Sequence, residues 1–153
     1  GIDDLFELPA LYRTAREALE LMMDHRFHGG NVCTVAQLRT PLLLKDLEGR
    51  SDLIAKEIRA LAAHDKKKDT QYCETLYHYL TCCRSLKKTC DALFTHRNTV
   101  LYRIRRIEDD FAIPLDEPAA HADLLVGVSL LLFKEKGPDF FLHTINKNER
   151  EGQ

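Results

Sequence analysis

A chain of 153 residues that is 44% hydrophobic and 30% charged can hold one domain, or two small ones, around a buried core. No apolar run approaches the roughly 20 residues of a membrane span, and no secretory signal opens the sequence. We therefore expect a cytoplasmic protein with no membrane partner. The net charge of −2 gives no overall attraction to nucleic acid, so binding to nucleic acid would need a local basic patch.

Enzymatic and metal-dependent functions have little support in the sequence. The chain contains no phosphate-binding glycine loop, no nucleophile elbow and no metalloprotease motif. The cysteines lack the close pairs of a zinc site, and we interpret them as small buried hydrophobic residues: Cys33, Cys73, Cys82, Cys83 and Cys90. We expect no catalytic residues, no metal site and no cofactor.

Residues 1–64 are predicted to form a small α/β remnant in front of the main domain. Its predicted elements are a helix over 5–24, a turn at Gly29-Gly30, a strand over 31–35, a short helical or irregular piece from Pro41, and a helix capped by Ser51. The polar run from His64 to Asp69 is interpreted as a solvated connector. A domain boundary is therefore predicted after residue 64.

Residues 65–137 are predicted to be all helical. Thr70 caps a helix over 71–83, Ser85 caps a helix over 86–94, and Thr95 caps a third helix, so that three helices in tandem form a helix-turn-helix unit. A closing helix follows from the Asp116-Glu117-Pro118 start to about Glu135, where Gly137-Pro138 stops it. Residues 138–153 form a tail, whose Phe140, Phe141 and Leu142 dock on the body or on another subunit. The predicted fold class is mainly α.

The stretch from Arg84 to Ile107 concentrates positive charge. Its basic residues outnumber its single acid, Asp91, by six: Arg84, Lys87, Lys88, Arg97, Arg103, Arg105 and Arg106. The third helix places Val100, Ile104, Ile107 and Phe111 on an inward face and Tyr102 opposite. A basic helix presented by a buried partner helix is typical of a protein that reads the DNA major groove.

Two alternatives for this basic stretch remain open. Arg105 with Asp109, and Arg106 with Asp110, are spaced as i, i+4 ion pairs, so they would equally suit a solvated helix face. Asn98 could act as a local backbone cap in the first turn rather than as a contact.

Three runs of residues resemble the C-terminal helix-turn-helix domain of PucR/CdaR-type bacterial transcriptional regulators. The runs are Leu76-x-x-Tyr79-Leu80, Ser85-Leu86-x-x-Thr89-x-x-x-Leu93, and His96-Arg97-Asn98-Thr99-Val100-x-Tyr102-Arg103-Ile104-x-x-Ile107-Glu108. Residues 8–21 are similar to the last helix of the family's GGDEF-like region. Cys90 and Leu101 depart from the pattern, since the family commonly has Ala at the first position and often Arg at the second.

The domain is also similar to the Fis-type helix-turn-helix, and this resemblance implies roles for individual residues. His96 and Arg97 would read bases and Thr99 would hold the backbone. By side-chain chemistry, Arg97 suits guanine and Asn98 suits adenine. The remaining predicted DNA contacts are at phosphates, with Tyr102 at a phosphate or a partner surface: Arg103, Arg106, Lys87, Lys88 and Tyr102.

The function implied is that of a sequence-specific, DNA-binding transcriptional regulator. Its partners would be double-stranded DNA, a second copy of the chain held by the first or last helices or by upstream residues, and RNA polymerase as a further candidate. The alternative is a regulatory or oligomerisation module that binds protein rather than DNA.

Overall fold

The computed structural model describes residues 7–24 and 34–142, and within them the protein is helical, with no strand. The α-helices are α1 (Leu8–Asp24), α2 (Val35–Asp46), α3 (Lys56–Lys68), α4 (Tyr72–Thr81), α5 (Leu86–Leu93), α6 (Arg97–Phe111) and α7 (His121–Lys136). Short 3-10 turns at Ser51–Leu53 and Pro118–Ala120 precede α3 and α7. The predicted mainly α fold with a closing helix is confirmed.

The chain divides into two compact units. One consists of Gly1–Glu48 with Phe133–Gln153, and the other of Gly49–Leu132. The second unit contains α3 to α6 and most of α7. The boundary predicted after residue 64 falls inside α3. The division of function that it marks, between residues 1–64 and a DNA-binding domain over 65–137, stays a prediction.

In the first unit α1 packs against α2. Ala18 and Leu21 are the buried residues of α1, and α2 buries Leu38, Pro41 and Leu44. The helix predicted over 5–24 is confirmed from Leu8 onward. Residues 5 and 6 lie outside the described part.

The strand predicted over 31–35 is wrong where the structure describes it, because Thr34 caps α2 and Val35 opens it. The Thr34 hydroxyl accepts a hydrogen bond from the Gln37 amide at 3.3 Å, and the Gln37 side chain accepts one from the Thr34 amide at 2.9 Å. This reciprocal capping box satisfies two backbone donors, which outweighs the weak preference of β-branched residues for strands. Residues 31–33 lie outside the described part. Pro41 lies within α2 and does not start a separate piece.

The end of the described chain belongs to the first unit. Phe141 is 1% exposed and lies against Phe133, with ring centroids 6.2 Å apart, and against Phe140 at 5.1 Å. These aromatic residues thus pack on one another and on the end of α7, and their docking on the body or on another subunit stays a prediction. Gly137, at φ 74°, lies directly after α7, as the predicted helix stop requires.

In the second unit α4 is the central helix. It packs against α3, α5 and α6, and its buried residues occupy nearly its whole circumference: Tyr72, Cys73, Thr75, Leu76, Tyr77, His78 and Leu80. The inward face predicted for α6 is confirmed at Val100, Ile104 and Ile107. The buried α4 is thus the support on which α6 is held.

The junction of α3 and α4 differs from the prediction. The polar run from His64 onward continues α3 as far as Lys68, and Asp65 is only 8% exposed. The Asp65 carboxylate accepts hydrogen bonds from the Tyr72 amide at 2.9 Å, from the Cys73 amide at 2.7 Å, and from the Thr70 hydroxyl. Asp65 therefore caps α4 from α3, and the cap predicted at Thr70 is wrong.

The cap predicted at Ser51 is also wrong. Ser51 begins the 3-10 turn, and α3 begins five residues later at Lys56, following Ala55. Between the turn and the helix, Ile54 is extended and only 3% exposed, so its burial interrupts the helical path. Ile54 and Ile58 also pack against α7 at Gly127. A Cβ added to this glycine would lie 3.4 Å from the Ile54 side chain.

Candidate nucleic-acid interface

A tight turn joins α5 to α6. Ser85 caps α5 as predicted, its hydroxyl accepting from the Lys88 amide. At the other end of α5, Phe94 adopts a left-handed conformation with φ 50° and ψ 40°, and the Thr95 amide donates to the Cys90 carbonyl at 3.1 Å. A left-handed residue that closes a helix reverses the chain within a few residues, so that α6 can start at once.

His96 is the N-cap of α6, and the cap predicted at Thr95 is therefore wrong. The His96 Nδ1 accepts a hydrogen bond from the Asn98 amide at 3.3 Å, while the Thr95 hydroxyl donates to the Leu93 carbonyl at 3.0 Å. With Nδ1 as the acceptor, the neutral ring carries its proton on Nε2. His96 can thus cap the helix with one ring nitrogen and offer a donor to a ligand with the other.

The first turn of α6 is exposed. His96, Arg97, Asn98 and Thr99 all lie at the surface. The cap of the first turn comes from the His96 ring, which accepts a hydrogen bond from the Asn98 backbone amide. The alternative that the Asn98 side chain itself acts as a local cap stays a prediction. Four polar side chains of the predicted site therefore lie together at one helix end, where the helix dipole favours an anion.

Lys87 and Arg97 line one open cleft between α5 and the start of α6. The cleft measures about 380 Å³, and its other lining residues are Leu86, Cys90 and Asp91. Lys88 is exposed on the same helix as Lys87. The structure thus unites the lysines of α5 with the first turn of α6. It also places the acid Asp91 in this cleft with Arg97. Spacing along α5 or α6 alone did not show that an acid lies near Arg97.

Arg103 lies between α6 and α4. Its guanidinium donates to the Thr75 hydroxyl at 3.2 Å and to the Gln71 side-chain oxygen at 3.1 Å. Thr75 is fully buried, and its hydroxyl donates in turn to the Gln71 carbonyl at 2.7 Å. In this structure Arg103 links α6 to α4 by hydrogen bonds. The sequence predicted a phosphate contact for Arg103 and did not predict this role.

Arg106 and Arg84 are also engaged within the unit. Arg106 lies 3.0 Å from the Asp110 carboxylate, the i, i+4 pair that the sequence left as an alternative, and this carboxylate raises the pKa of the guanidinium. Arg84 donates to the Leu115 carbonyl at 3.0 Å. Within the basic stretch, the exposed cations that remain beside these three arginines are Lys87, Lys88, Arg97 and Arg105.

Tyr102 and Leu101 occupy the positions expected from the helix period. Tyr102 is 57% exposed, and Leu101 is half-buried. The cysteines are less uniform than predicted, since Cys73 is buried, Cys82 and Cys90 are half-buried, and Cys83 is exposed. Burial raises the pKa of the Cys82 thiol.

Within residues 7–24 and 34–142, no group of three or more His, Cys, Asp or Glu side chains is arranged to hold a metal ion. None of the helices described there is both long and apolar enough to cross a membrane.

Three helices around a buried α4, with a tight turn before an exposed, basic first turn of α6, define a helix-turn-helix domain. Residues 72–130 match the PucR C-terminal helix-turn-helix domain. This segment therefore has the helix-turn-helix fold that the sequence predicted, and it is similar to that family's domain. The GGDEF-like assignment of residues 8–21 stays a prediction.

The chain is similar to the proline-responsive transcriptional activator PutR of Bacillus subtilis (strain 168). The two are 29% identical over 132 residues, which cover 82% of this chain and 32% of the relative. The chain thus spans about a third of the length of that curated relative. No solved structure matches the chain significantly.

Proposed function

We propose that the helix-turn-helix domain binds double-stranded DNA sequence-specifically, with the first turn of α6 in the major groove, as the output domain of a transcription regulator. The observation that carries this proposal is the exposed turn from His96 to Thr99, held by a ring-nitrogen cap and by the buried α4. Recognition helices contact base edges mainly through their amino-terminal residues, which is the part of α6 that faces solvent.

The contacts within the site fall into three groups. His96, Arg97 and Asn98 reach base edges, with Arg97 suited to guanine O6 and N7. Thr99, Lys87 and Lys88 hold phosphates, and Tyr102, exposed on α6, borders the DNA backbone. Arg103, which was expected at a phosphate, orients α6 through its bonds to Thr75 and Gln71. Arg106, also expected at a phosphate, is paired with Asp110 on α6 itself. Each reaches a phosphate only by leaving those contacts.

The test is binding of the whole chain to genomic DNA fragments, selected in vitro and then measured as short duplexes. Arg97→Ala is expected to weaken binding to the selected site by about tenfold or more, since a bidentate contact with guanine contributes roughly 1–3 kcal/mol. Arg59→Ala, an equally exposed arginine on α3, is the matched control and should bind normally. Unchanged binding by Arg97→Ala would show that α6 is not the reading helix.

A homodimer is part of the proposal, because one trihelical unit reads only a short half-site. The described face of α1 offers an apolar surface for pairing, with Leu8 40%, Tyr12 73%, Leu19 57% and Met23 72% exposed at helical spacing. Sedimentation of the chain with Tyr12→Lys and Leu19→Lys tests this, and Arg13→Lys is the control. A wild-type chain that sediments as a monomer at all concentrations would refute pairing by this face.

The relative's description as a transcriptional activator extends the proposal to activation, in which a regulator bound near a promoter contacts RNA polymerase. In vitro transcription from a promoter that carries the selected site measures this. Added protein should raise the yield of transcript, and a fall would instead indicate repression.

A further inference from the structure

Phe94 is the large hydrophobic residue with the highest exposure in the described part of the chain. Its side chain is 84% exposed, above Tyr12 at 73% and Met23 at 72%. A single apolar residue at a protein surface is ordinary and carries no inference alone. Phe94 differs because of the backbone conformation in which it is held.

Phe94 closes α5 in the left-handed region, at φ 50° and ψ 40°. Its amide donates to the carbonyls of Cys90 and Asp91, and the next amide, that of Thr95, also donates to Cys90. These bonds fix the turn, so residue 94 must be left-handed whatever its side chain. Glycine adopts this conformation without a steric cost, whereas an aromatic residue does not. A large exposed ring at such a position is a combination that stability alone does not favour.

The location of this ring gives it a use. Phe94 lies two residues before His96, which caps α6, and three before Arg97. On α5 it follows Asp91 by three residues and Lys87 by seven, and both of those residues line the cleft next to Arg97. The ring is therefore presented at the edge of the proposed DNA-binding surface.

We propose that Phe94 is a DNA contact, packing its ring on apolar surface of the duplex beside the bases that α6 reads. The apolar groups available on DNA there are the thymine C5 methyl in the major groove and the deoxyribose of the backbone. The basic side chains of Lys87, Lys88 and Arg97 around the turn favour DNA over a basic or neutral partner surface. The acid nearby is Asp91. Its negative charge repels a phosphate, so we expect the DNA surface beside the Phe94 ring to be away from the phosphates. This inference rests on the proposed DNA-binding function.

The decisive variant is Phe94→Gly, measured for both thermal stability and DNA affinity. Glycine removes the left-handed strain, so the Tm should stay equal or rise. Removal of the ring should weaken binding to the selected duplex by about threefold to tenfold. Phe94→Asn, which also tolerates the left-handed region, should behave in the same way. A fall in Tm, or unchanged affinity, would overturn the proposal, since a merely structural ring would stabilise the fold and leave a folded variant's affinity intact.

Two controls isolate the ring from strain and from general hydrophobicity. Ala112→Gly relieves the same left-handed conformation at the end of α6, where φ is 52°, and should not change DNA affinity. Leu53→Ala removes another exposed apolar side chain of the same unit, 65% exposed, and should also bind normally. If either control weakened binding as much as Phe94→Gly, the effect would not belong to a Phe94 contact.

The DNA itself distinguishes the two apolar groups. Replacing thymines at the edge of the selected site by deoxyuridine removes only the C5 methyl groups. A loss seen with the wild-type chain and absent with Phe94→Gly places the ring on a methyl group, whereas equal responses place it on deoxyribose. Arg97→Ala separates this inference from the proposed function: if that variant loses affinity and Phe94→Gly does not, the domain reads DNA through α6 and the Phe94 inference alone is wrong.

Discussion

Asp65 is a buried carboxylate whose oxygens are occupied by the first backbone amides of another helix. Its three hydrogen bonds come from Thr70, Tyr72 and Cys73. Beside it, the His64 ring stacks on Tyr72 at 5.3 Å and meets Phe111 edge-on at 5.4 Å. This cluster joins α3, the start of α4 and the end of α6. One residue outside the matched segment 72–130 thus stabilises the domain's central helix.

Asp65→Asn should lower the unfolding free energy of the second unit by about 1–3 kcal/mol, because an amide cannot accept all three bonds and its NH₂ group would face donors. Asp69→Asn is the matched control: Asp69 is exposed and left-handed, a conformation that asparagine also tolerates, so it should have little effect. Urea denaturation followed by circular dichroism measures both variants. Equal stability of the two would contradict the capping role of Asp65.

The folded structure disfavours the ionised form of the Glu108 side chain. Burial raises its pKa, and the carboxylates of Asp116 and Asp109 raise it further. The folded chain therefore holds this proton more tightly than the unfolded chain. The stabilisation from this group is complete below the unfolded pKa and is lost as the pH rises through the folded pKa.

Glu108→Gln should accordingly raise the Tm slightly at pH 7, with the gain shrinking toward about pH 4, where glutamate is protonated in both states. Thermal melts between pH 4 and pH 8 measure the difference. Glu117→Gln, at an exposed position, is the comparison and should show no such pH-dependent gain. A gain for Glu108→Gln that grows on acidification would reverse the assigned sign.

At the scale of the elements, α6 is fixed to α4 at its middle, away from the end that we propose reads DNA. Arg103 bonds to Thr75 on α4 and to Gln71 directly before it, whereas the first turn of α6 is held by its own cap, the His96 ring. Such an arrangement leaves the side chains from His96 to Thr99 available for a ligand. The direction in which they point depends on how α6 is seated on α4.

Arg103→Lys distinguishes this seating role from a phosphate contact. A lysine keeps the charge but cannot reach two acceptors with a planar fork, so we expect it to lose stability, by about 1–2 kcal/mol, and DNA affinity almost as fully as Arg103→Ala. Arg105→Lys, on the exposed side of α6, should keep the wild-type Tm. If Arg103→Lys restored the DNA affinity that Arg103→Ala lost, a phosphate contact would be the better explanation.

At the scale of the whole molecule, the number of basic residues between Arg84 and Ile107 overstates the charge available for the proposed DNA contact. Arg84, Arg103 and Arg106 are bonded within the second unit, which leaves Lys87, Lys88, Arg97 and Arg105 exposed. A duplex with a single half-site should therefore show a slope of log K against log salt of about −3.6 per bound copy, whereas use of all seven cations would give about −6.

Fluorescence anisotropy with such a duplex between about 50 and 200 mM salt measures this slope. A value near −6 would mean that the three internal arginines exchange their partners for phosphates on binding. A slope near zero would favour the protein-binding alternative. Arg97→Ala and Lys87→Ala should each make the slope less steep by up to about one.

The sequence predicted most of the helices from α4 onward because their signals are local. The i, i+4 spacing of Val100 and Ile104, the Ser85 cap and the Gly137 stop each depend on residues within one turn. Local signals failed where two elements compete or meet. The β-branched residues before α2 suggested a strand, but the capping box between Thr34 and Gln37 begins a helix there instead.

The sequence by itself determined the helical class, the helix-turn-helix order and the exposed residues from His96 to Thr99, because helix period and turn chemistry are read along the chain. Only the tertiary structure showed that Asp65 is a buried cap and that Arg103 has partners at Thr75 and Gln71. The Arg106–Asp110 pair was already one of the alternatives in the sequence, and the structure chose it. It alone placed Asp91 in the cleft with Arg97 and showed the left-handed turn that exposes Phe94. Charge counted along a chain does not include the partners that packing brings from distant positions, as it brings Thr75 to Arg103 and the Leu115 carbonyl to Arg84. Those partners reduce the number of exposed cations available for the proposed DNA contact.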